Sequence, residues 1–239
     1  MAANRKKTLG YVLYWLGIII ALALTALVTW ASIEAMVYGF TTYSKVSLEG
    51  VSCPPLMTRS EKAVITASIK NPSDKPVSFL IRADISSPEL LRSERENVTL
   101  EPGETRTFQW AISSSDIDLK RFIFARVYRY SSYLWKLAEA TCGVYILDVP
   151  YLTGRQIYWG GVIASIVLIV LGLWFTREPA RPIQQGRSAS LGTAMKFLAV
   201  VAVLGLAAGM MRSWLLGILV LVVSVILIMT VLLSKISKQ

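Results

Sequence analysis

Three long apolar blocks constrain this 239-residue chain more than any other feature, and they occupy residues 11–33, 157–176 and 191–233. As helices, the first two would be about 34 and 30 Å long, enough to cross the roughly 30 Å hydrocarbon core of a bilayer. The first block is longer than the roughly 7–15 apolar residues of a signal peptide. We therefore expect an uncleaved anchor rather than a cleaved leader.

The last block is too long for a single membrane span. Its 43 residues would form a helix of roughly 65 Å, about twice the thickness of the hydrocarbon core. We expect two helices, at 193–211 and 214–233, joined by a tight turn near residues 211–213. One long helix that protrudes into water is the alternative, which the apolar character of 214–233 disfavours.

The positive charge of the chain is concentrated beside these blocks. The formal net charge is +10, yet residues 37–156 hold 15 Lys/Arg against 13 Asp/Glu. The segments 1–10, 177–192 and 234–239 are basic, so the positive-inside rule predicts that they are cytoplasmic. Residues 37–156 would then lie outside the cell (plasma) membrane. Because a nucleic-acid-binding protein carries its charge on the folded domain, we expect the bilayer as a partner and no nucleic acid.

Between the first two blocks, the sequence changes to short runs of alternating apolar and polar residues. Candidate strands lie at 45–52, 63–70, 77–85, 96–100, 105–112, 122–130 and 143–148. About seven short strands separated by turn residues predict an all-β sandwich over residues 44–150, with Trp110 in its core. The predicted fold class is therefore membrane α-helical, with four transmembrane helices, plus an all-β sandwich ectodomain.

Two turn motifs of this domain resemble those of bacterial Ig-like domains of cell-surface proteins. The stretch ITASIKNPSDKPVSFLIRADI joins two strands through an N-x-S-x-x-P-V turn, and VTLEPGETRTFQWAIS carries an L-x-P-G-E turn before the next strand. The resemblance covers residues 60–130, and it implies an Ig-like sandwich in a bacterial protein. Turn motifs specify backbone shape, so the resemblance implies no activity.

The content of cysteine and histidine restricts the possible chemistry. Cys53 and Cys142 lie near the two ends of the predicted domain. Outside the cytoplasm such a pair favours one disulfide, the alternative being two separate buried thiols. The chain has no histidine, the commonest general base and metal ligand. We therefore expect no metal site, no cofactor and no histidine-dependent catalysis.

Two segments are candidates for contacts with other proteins. Residues 121–136 combine basic and aromatic side chains, of which we single out Arg129, Tyr130, Tyr133 and Trp135. This segment is either an exposed loop that binds a partner or a strand whose aromatic residues pack inward at alternate positions. In the third span, Gly205 and Gly209 form a G-x-x-x-G motif, which serves either a helix dimer or packing against the fourth span of the same chain.

These features favour a non-enzymatic membrane subunit that anchors and braces a larger complex of membrane protein subunits. The outer Ig-like domain would make the protein contacts. The alternative is a stand-alone cell-surface module that recognises an extracellular protein or glycan. An enzyme or a transporter is a third possibility, but the sequence shows no catalytic motif and no ionisable residue in the middle of a predicted span.

Overall fold

The computed structural model describes residues 2–37, 46–88, 91–130, 136–176, 188–211 and 213–236. Within these ranges the chain combines four α-helices with eight β-strands. The helices are α1 (Ala2–Val37), α2 (Gly154–Thr176), α3 (Ser188–Met210) and α4 (Trp214–Ile236). The strands are β1 (Val51–Ser52), β2 (Leu56–Thr58), β3 (Ala63–Lys70), β4 (Val77–Ile85), β5 (Arg92–Leu100), β6 (Thr105–Ile112), β7 (Phe122–Arg129) and β8 (Ala138–Leu147). The chain divides into a β unit, Trp30–Ile157, and a helical unit made of Met1–Thr29 and Tyr158–Gln239.

The β unit contains two sheets that share one hydrophobic core. One sheet has the strand order β1-β3-β6, and the other has the order β2-β8-β7-β4-β5. Alternate residues of the strands point into the core, among them Ile65, Ile81 and Ile123. Trp110 is also buried there, so its predicted core position is confirmed. Each large apolar side chain buried in this way contributes roughly 1.5–3 kcal/mol to folding.

The disulfide lies where the chain passes from one sheet to the other. β1 pairs antiparallel with β3, whereas β2 pairs parallel with β8. Cys53 lies between β1 and β2 and forms a disulfide with Cys142, with their Cα atoms 6.7 Å apart. The bond joins residues that are 89 positions apart in the sequence. For a loop of that length, the chain-entropy model gives a stabilisation of about 4–5 kcal/mol.

Two strands begin earlier than the sequence predicts. β8 begins at Ala138 rather than at residue 143, so Cys142 lies inside the last strand and not at its start. Residues 138–141 read AEAT, and such small and polar side chains give no clear apolar alternation. β5 begins at Arg92 rather than at residue 96. It is an exposed edge strand, where a charged sequence is common because it discourages pairing with other chains.

The first predicted strand, 45–52, is shorter in the structure. Residue 45 lies outside the described residues, and the regular pairing is limited to Val51 and Ser52. A single bridge pairs Ser47 with Glu139 of β8. This part of the chain therefore contacts both sheets in turn, which interrupts the regular alternation of a strand.

A buried asparagine joins the two turns that the sequence singles out. The side-chain amide nitrogen of Asn71 donates hydrogen bonds to the carbonyl oxygens of Lys75, Leu100 and Glu101, at 2.9, 3.0 and 3.2 Å. Its side-chain oxygen accepts hydrogen bonds from the backbone N–H and the hydroxyl of Ser73. We call residues 71–75 the Asn71 turn. This asparagine fixes the β3–β4 connection to the β5–β6 connection.

The last residues of α1 pack against the five-stranded sheet within the β unit. They contact the face that points away from the core, which we call the outer face and which includes Phe122 and Tyr145. The ring centroid of Trp30 lies 5.6 Å from that of Phe122 and 5.9 Å from that of Tyr145. A Cβ atom added at Gly143 would collide with the carbonyl oxygen of Ala31. The backbones of helix and strand therefore touch, and the β unit has a helix layer on two sheet layers.

The first turn of α2 is also held by the β unit. Thr153 and Gln156 form a reciprocal capping box, in which each side chain accepts a hydrogen bond from the backbone N–H of the other. Glu61, in the loop after β2, accepts a hydrogen bond of 2.7 Å from the N–H of Gly154. A carboxylate is favourable at a helix N-terminus because the free N–H groups give that end a partial positive charge.

In the helical unit, close backbone approach and an interhelical hydrogen bond join the helices. A Cβ atom added at Gly17 of α1 would lie 2.9 Å from the carbonyl oxygen of Ser165 on α2. Tyr14 of α1 donates a hydrogen bond of 2.7 Å to the carbonyl oxygen of Met195 on α3. Both features are typical of helices that pack together in membranes.

Three helices are long and apolar enough to cross a membrane: Arg5–Val37, Gly154–Thr176 and Gly192–Met210. Helix α4 has 23 residues, and Trp214–Thr230 is its apolar described part. Two helices, not one long helix, occupy residues 191–233, because α3 ends at Met210 and α4 begins at Trp214. The helices extend beyond the predicted spans because hydropathy marks the apolar part of a helix and not its polar end turns.

We expect Asn71→Ala to lower the free energy of unfolding of the β unit by about 2–3 kcal/mol, because it leaves buried carbonyl groups without hydrogen-bond donors. Thermal unfolding of the full chain in detergent, followed by near-ultraviolet circular dichroism, measures the loss. Gln109→Ala, at an exposed position of β6, is the matched control. An unchanged midpoint for Asn71→Ala would show that the two turns do not depend on each other.

We expect Gly143→Ala to destabilise the β unit by about 1–3 kcal/mol, because the added methyl group must displace the backbone of α1. Gly160→Ala in α2 is the control, since an added Cβ there meets no atom within 4 Å. Limited proteolysis of the purified full chain compares the two variants with the original protein. Equal resistance of both variants would contradict the close contact between α1 and β8.

Candidate functional site

The outer face of the five-stranded sheet changes character along β7. Phe122 and Phe124 are buried, whereas Arg126, Tyr128 and Tyr130 are partly exposed. The residues between them, Ile123, Ala125 and Val127, point into the core. The described aromatic residues of segment 121–136, at positions 122, 124, 128 and 130, therefore alternate along the strand and lie on the outer face, whereas one interpretation placed aromatic side chains in the core. A second apolar surface exists on the outer face because α1 packs there.

Asp84 of β4 organises the polar part of the outer face. It is 1% exposed, and its Oδ1 atom accepts hydrogen bonds from Arg82 Nε at 2.6 Å and from Ser93 Oγ at 2.5 Å. The guanidinium of Arg126 on β7 lies 4.0 Å from Oδ2. A carboxylate this deeply buried is stable only when cations and hydrogen-bond donors surround it. One buried anion therefore holds two arginines on the same surface.

Two tyrosines continue this surface along β7. The ring of Tyr128 lies 4.5 Å from the guanidinium carbon of Arg126 and 5.7 Å from that of Arg82, within cation–π range. The rings of Tyr128 and Tyr130 stack with centroids 5.9 Å apart. Arg82 also donates a hydrogen bond of 3.4 Å to the hydroxyl of Tyr130. We call Arg82, Arg126, Tyr128 and Tyr130 the arginine–tyrosine ladder.

The pKa values of two ladder residues are shifted away from neutral pH. The hydrogen bond to Asp84 raises the pKa of the Arg82 guanidinium, which therefore stays charged. Burial raises the pKa of the Tyr128 phenol, which therefore stays protonated at neutral pH. At neutral pH the ladder therefore presents a charged Arg82 guanidinium and a neutral Tyr128 phenol. Such arginine and tyrosine groups are enriched where proteins contact one another.

Of the four candidate contact residues of segment 121–136, the structure describes Arg129 and Tyr130. Tyr130 belongs to the ladder, at the end of β7. Arg129 is the preceding residue, so its side chain lies on the opposite side of the strand. Its guanidinium donates a hydrogen bond of 3.3 Å to the carbonyl oxygen of Lys136. Burial lowers the pKa of Arg129. Tyr133 and Trp135 lie outside the described residues.

The two glycines of the third span are buried within the helical unit. A Cβ atom at Gly205 would lie 2.8 Å from Val220 of α4 and 3.0 Å from the hydroxyl oxygen of Thr25 on α1. A Cβ atom at Gly209 would lie 3.5 Å from the hydroxyl oxygen of Tyr158 on α2. Gly205 therefore packs against the fourth span, as the second interpretation of the G-x-x-x-G motif has it, whereas Gly209 faces α1 and α2.

Sequence reasoning missed Arg82, the ladder residue of β4, and the buried Asp84 beside it. Arg82 and Asp84 are polar residues at alternate positions of the otherwise apolar run FLIRADI, which was the available signal. Their partners Ser93 and Arg126 come from other strands. Only the strand register, which pairs Asp84 with both Ser93 and Arg126, brings these residues together.

Apart from the ladder, the β unit has a concave feature between the edges of β5 and β6, with a volume of about 230 Å³. Its lining includes Glu96, Arg106, Gln109 and Trp110. Arg106 donates a hydrogen bond of 2.8 Å to Glu96, and both side chains are about half exposed. This feature is therefore part of a solvated surface that carries charges of both signs. Among the described residues, no group of three or more Cys, Asp or Glu side chains is placed to hold a metal ion.

No protein-family model matches the chain, and comparison with curated proteins finds no similar sequence. Among solved structures, a β-glucuronidase of Bacteroides uniformis is 16% identical over 38% of this chain and 12% of its own, with a TM-score of 0.30. A GH3 β-glucosidase of Bifidobacterium adolescentis is 15% identical over 53% of this chain and 21% of its own, also with a TM-score of 0.30. The chain spans about a fifth or less of these proteins, and likeness at this level assigns neither a family nor an activity.

Proposed function

We propose that the chain is a non-enzymatic integral membrane subunit that anchors and braces a larger membrane protein complex. Four helices would cross the plasma membrane, with both termini in the cytoplasm and residues 37–156 outside. The β unit would be an Ig-like domain that contacts other subunits. The arginine–tyrosine ladder is the observation that carries this proposal, because it is a preorganised surface without catalytic groups.

The surface of the helices supports membrane insertion. Large apolar side chains of α2 and α4 are exposed, among them Ile163, Val170, Leu219 and Ile226. Contiguous apolar surface of this kind is unfavourable in water and suits contact with lipid or with other apolar helices. Helix α4 has 23 residues, about 34 Å, which is long enough for a fourth span.

The strand order supports the Ig-like assignment. In Ig-type sandwiches the second and fifth strands of the chain share one sheet with the first, and the third strand lies beside the last two in the other. Here β1 and β2 together take the place of the first strand, so β3 and β6 correspond to the second and fifth strands. They share a sheet with β1, while β4, β7 and β8 are neighbours in the other sheet. β5 pairs with β4 and not with β6, so the order differs from that of an antibody constant domain.

The geometry of the ladder supports protein contact. Two tyrosines and two arginines lie on one sheet face, and the buried Asp84 and stacking restrict their movement. Side chains that are already ordered lose little entropy when a partner binds, so more of the contact energy appears as affinity. The ladder therefore fits a protein partner on the outer side of the membrane.

A second candidate function is a stand-alone cell-surface module that binds an extracellular protein or glycan. The concave feature between β5 and β6 favours it, because it offers carboxylate, guanidinium and amide groups beside Trp110. Its volume of about 230 Å³ is small for a ligand pocket. We therefore place the membrane subunit first.

The proposed topology predicts that Lys75→Cys reacts with a membrane-impermeant maleimide in intact cells. The original protein is the control, because Cys53 and Cys142 are joined in a disulfide and leave no free thiol. A C-terminal tag should be reached by protease only after the cells are permeabilised. Labelling of position 75 only after permeabilisation would reverse the proposed orientation.

The proposed role predicts that the tagged chain, purified in mild detergent from its native host, belongs to an assembly of fixed composition larger than its own 26.4 kDa. Tyr130→Ala should retain roughly tenfold less of the other subunits, the effect of losing a central aromatic contact. Gln109→Ala on the other sheet should retain the full amount. A chain isolated alone or as a homodimer would contradict this role and favour the surface module.

A further inference from the structure

Unusual backbone conformations gather in the β unit beside the start of α2. Among the described residues, the non-glycine residues with positive φ are Leu119, Lys120 and Tyr151, at 47°, 66° and 67°. Positive φ is costly for such side chains, and conformations of this kind cluster at functional sites. Leu119 and Lys120 form the tip of the turn that leads into β7, and Tyr151 lies three residues before Gly154.

One arginine joins these two strained segments. Arg59 donates a hydrogen bond of 2.6 Å to the carboxylate of Asp148 and another of 3.1 Å to the backbone carbonyl of Lys120. The backbone N–H of Arg59 also donates to the carbonyl of Leu147 at 3.3 Å. Arg59 therefore connects the 119–121 turn to Leu147 and Asp148, which directly precede residues 149–155.

This surface exposes large apolar side chains. Tyr151 is 100% exposed, Leu152 is 49% exposed and Leu119 is 39% exposed. Val149 is exposed to a similar degree beside them in the sequence. The positive φ values and the exposure of apolar side chains to water both cost free energy. The exposure is relieved where lipid or another protein covers the side chains.

Basic side chains surround the apolar ones. Lys120, Arg121 and Arg155 are exposed on the same two segments, and Arg155 belongs to the first turn of α2. Arg121 donates a hydrogen bond of 3.1 Å to the hydroxyl of Tyr145. Arg59 is engaged with Asp148, so that pair adds no net charge to the surface. Two carboxylates also lie there, since Asp118 accepts a hydrogen bond from the N–H of Leu119 and Glu61 accepts one from the N–H of Gly154, so the basic side chains outnumber the acidic ones by one.

From this arrangement, we infer that residues 119–121 together with 149–155 form a lipid-binding surface for the anionic phospholipid headgroups of the outer leaflet. We call it the headgroup surface. The inference rests on the proposed membrane span of α2, because residues 149–155 lead directly into that helix in the sequence. Tyrosine and leucine suit the interfacial zone, and lysine and arginine attract anionic lipid.

The position of the strands agrees with this assignment. The 119–121 turn precedes β7 at Phe122, and Phe122 contacts Trp30 of α1, an interfacial type of residue. The Asn71 turn precedes the start of β4, whereas the other end of β4, at Ile85, pairs with Ala125 near the start of β7, so the turn and residues 119–121 lie at opposite ends of the sheet. The Asn71 turn is therefore the control position.

The test uses the full chain reconstituted in lipid nanodiscs and spin labels at Leu119→Cys and Tyr151→Cys. The native disulfide leaves the added thiol as the reactive one. We expect oxygen, which partitions into lipid, to increase the spin relaxation rate of both labels. A water-soluble nickel chelate should have little effect on that rate, as for labels in the lipid interface. A label at Lys75→Cys on the Asn71 turn should show the reverse.

A second measurement tests whether the headgroup surface prefers anionic lipid. Native mass spectrometry compares the retention of added phosphatidylglycerol and phosphatidylcholine by the full chain. Lys120→Gln and Arg155→Gln should each reduce the preference for phosphatidylglycerol on the order of fivefold, whereas Lys75→Gln should leave it unchanged. Equal retention of the two lipids by the original protein would overturn the anionic-lipid assignment.

Alkaline carbonate extraction separates the failure of this inference from the failure of the membrane span. A chain that resists carbonate, with labels at 119 and 151 as open to the nickel chelate as the label at 75, overturns the headgroup surface alone. A chain that carbonate extracts overturns the span of α2 and the headgroup surface with it.

Discussion

The contact between Ala31 and Gly143 determines the layering of the β unit. Any side chain at position 143 would occupy the space of the Ala31 carbonyl, so glycine allows the helix to rest directly on β8. Phe122 and Tyr145 can then be buried on a sheet face that would otherwise meet water. β7 consequently has apolar residues on both faces in its first half. This explains its nearly continuous apolar run FIFARV, which is common in strands covered on both sides.

The second half of the same face has a different physical basis. Desolvating Asp84 costs several kcal/mol, and this cost is offset only because Arg82, Ser93 and Arg126 surround the carboxylate. The residues of the arginine–tyrosine ladder are therefore interdependent, and removing one arginine affects the whole group. A surface built in this way keeps its shape better than one built from independent long side chains.

Much of the architecture could be predicted from the sequence because it depends on local patterns. The apolar blocks marked the helices, and the alternation in AVITASIK and TRTFQWAI matched β3 and β6 closely. The early start of β8 was missed because AEAT carries no apolar alternation. Three residues of the ladder, at positions 126, 128 and 130, lie in the segment 121–136 that the sequence singles out, but Arg82 was missed because β4 meets β7 only through the strand register. The role of Asn71 was equally hidden, since its partners lie about thirty residues away.

The place of β8 in its sheet has a consequence for how the chain is made. β8 is the last strand in the sequence, yet it lies between β2 and β7, carries Cys142 and supplies the glycine that receives α1. During synthesis from the N-terminus, the five-stranded sheet therefore lacks β8 until residue 147 has left the ribosome. Until then the neighbouring strand edges stay open and need protection from premature association. Completion of the sheet, the cross-link and the helix contact then all wait for the same short stretch of nascent chain.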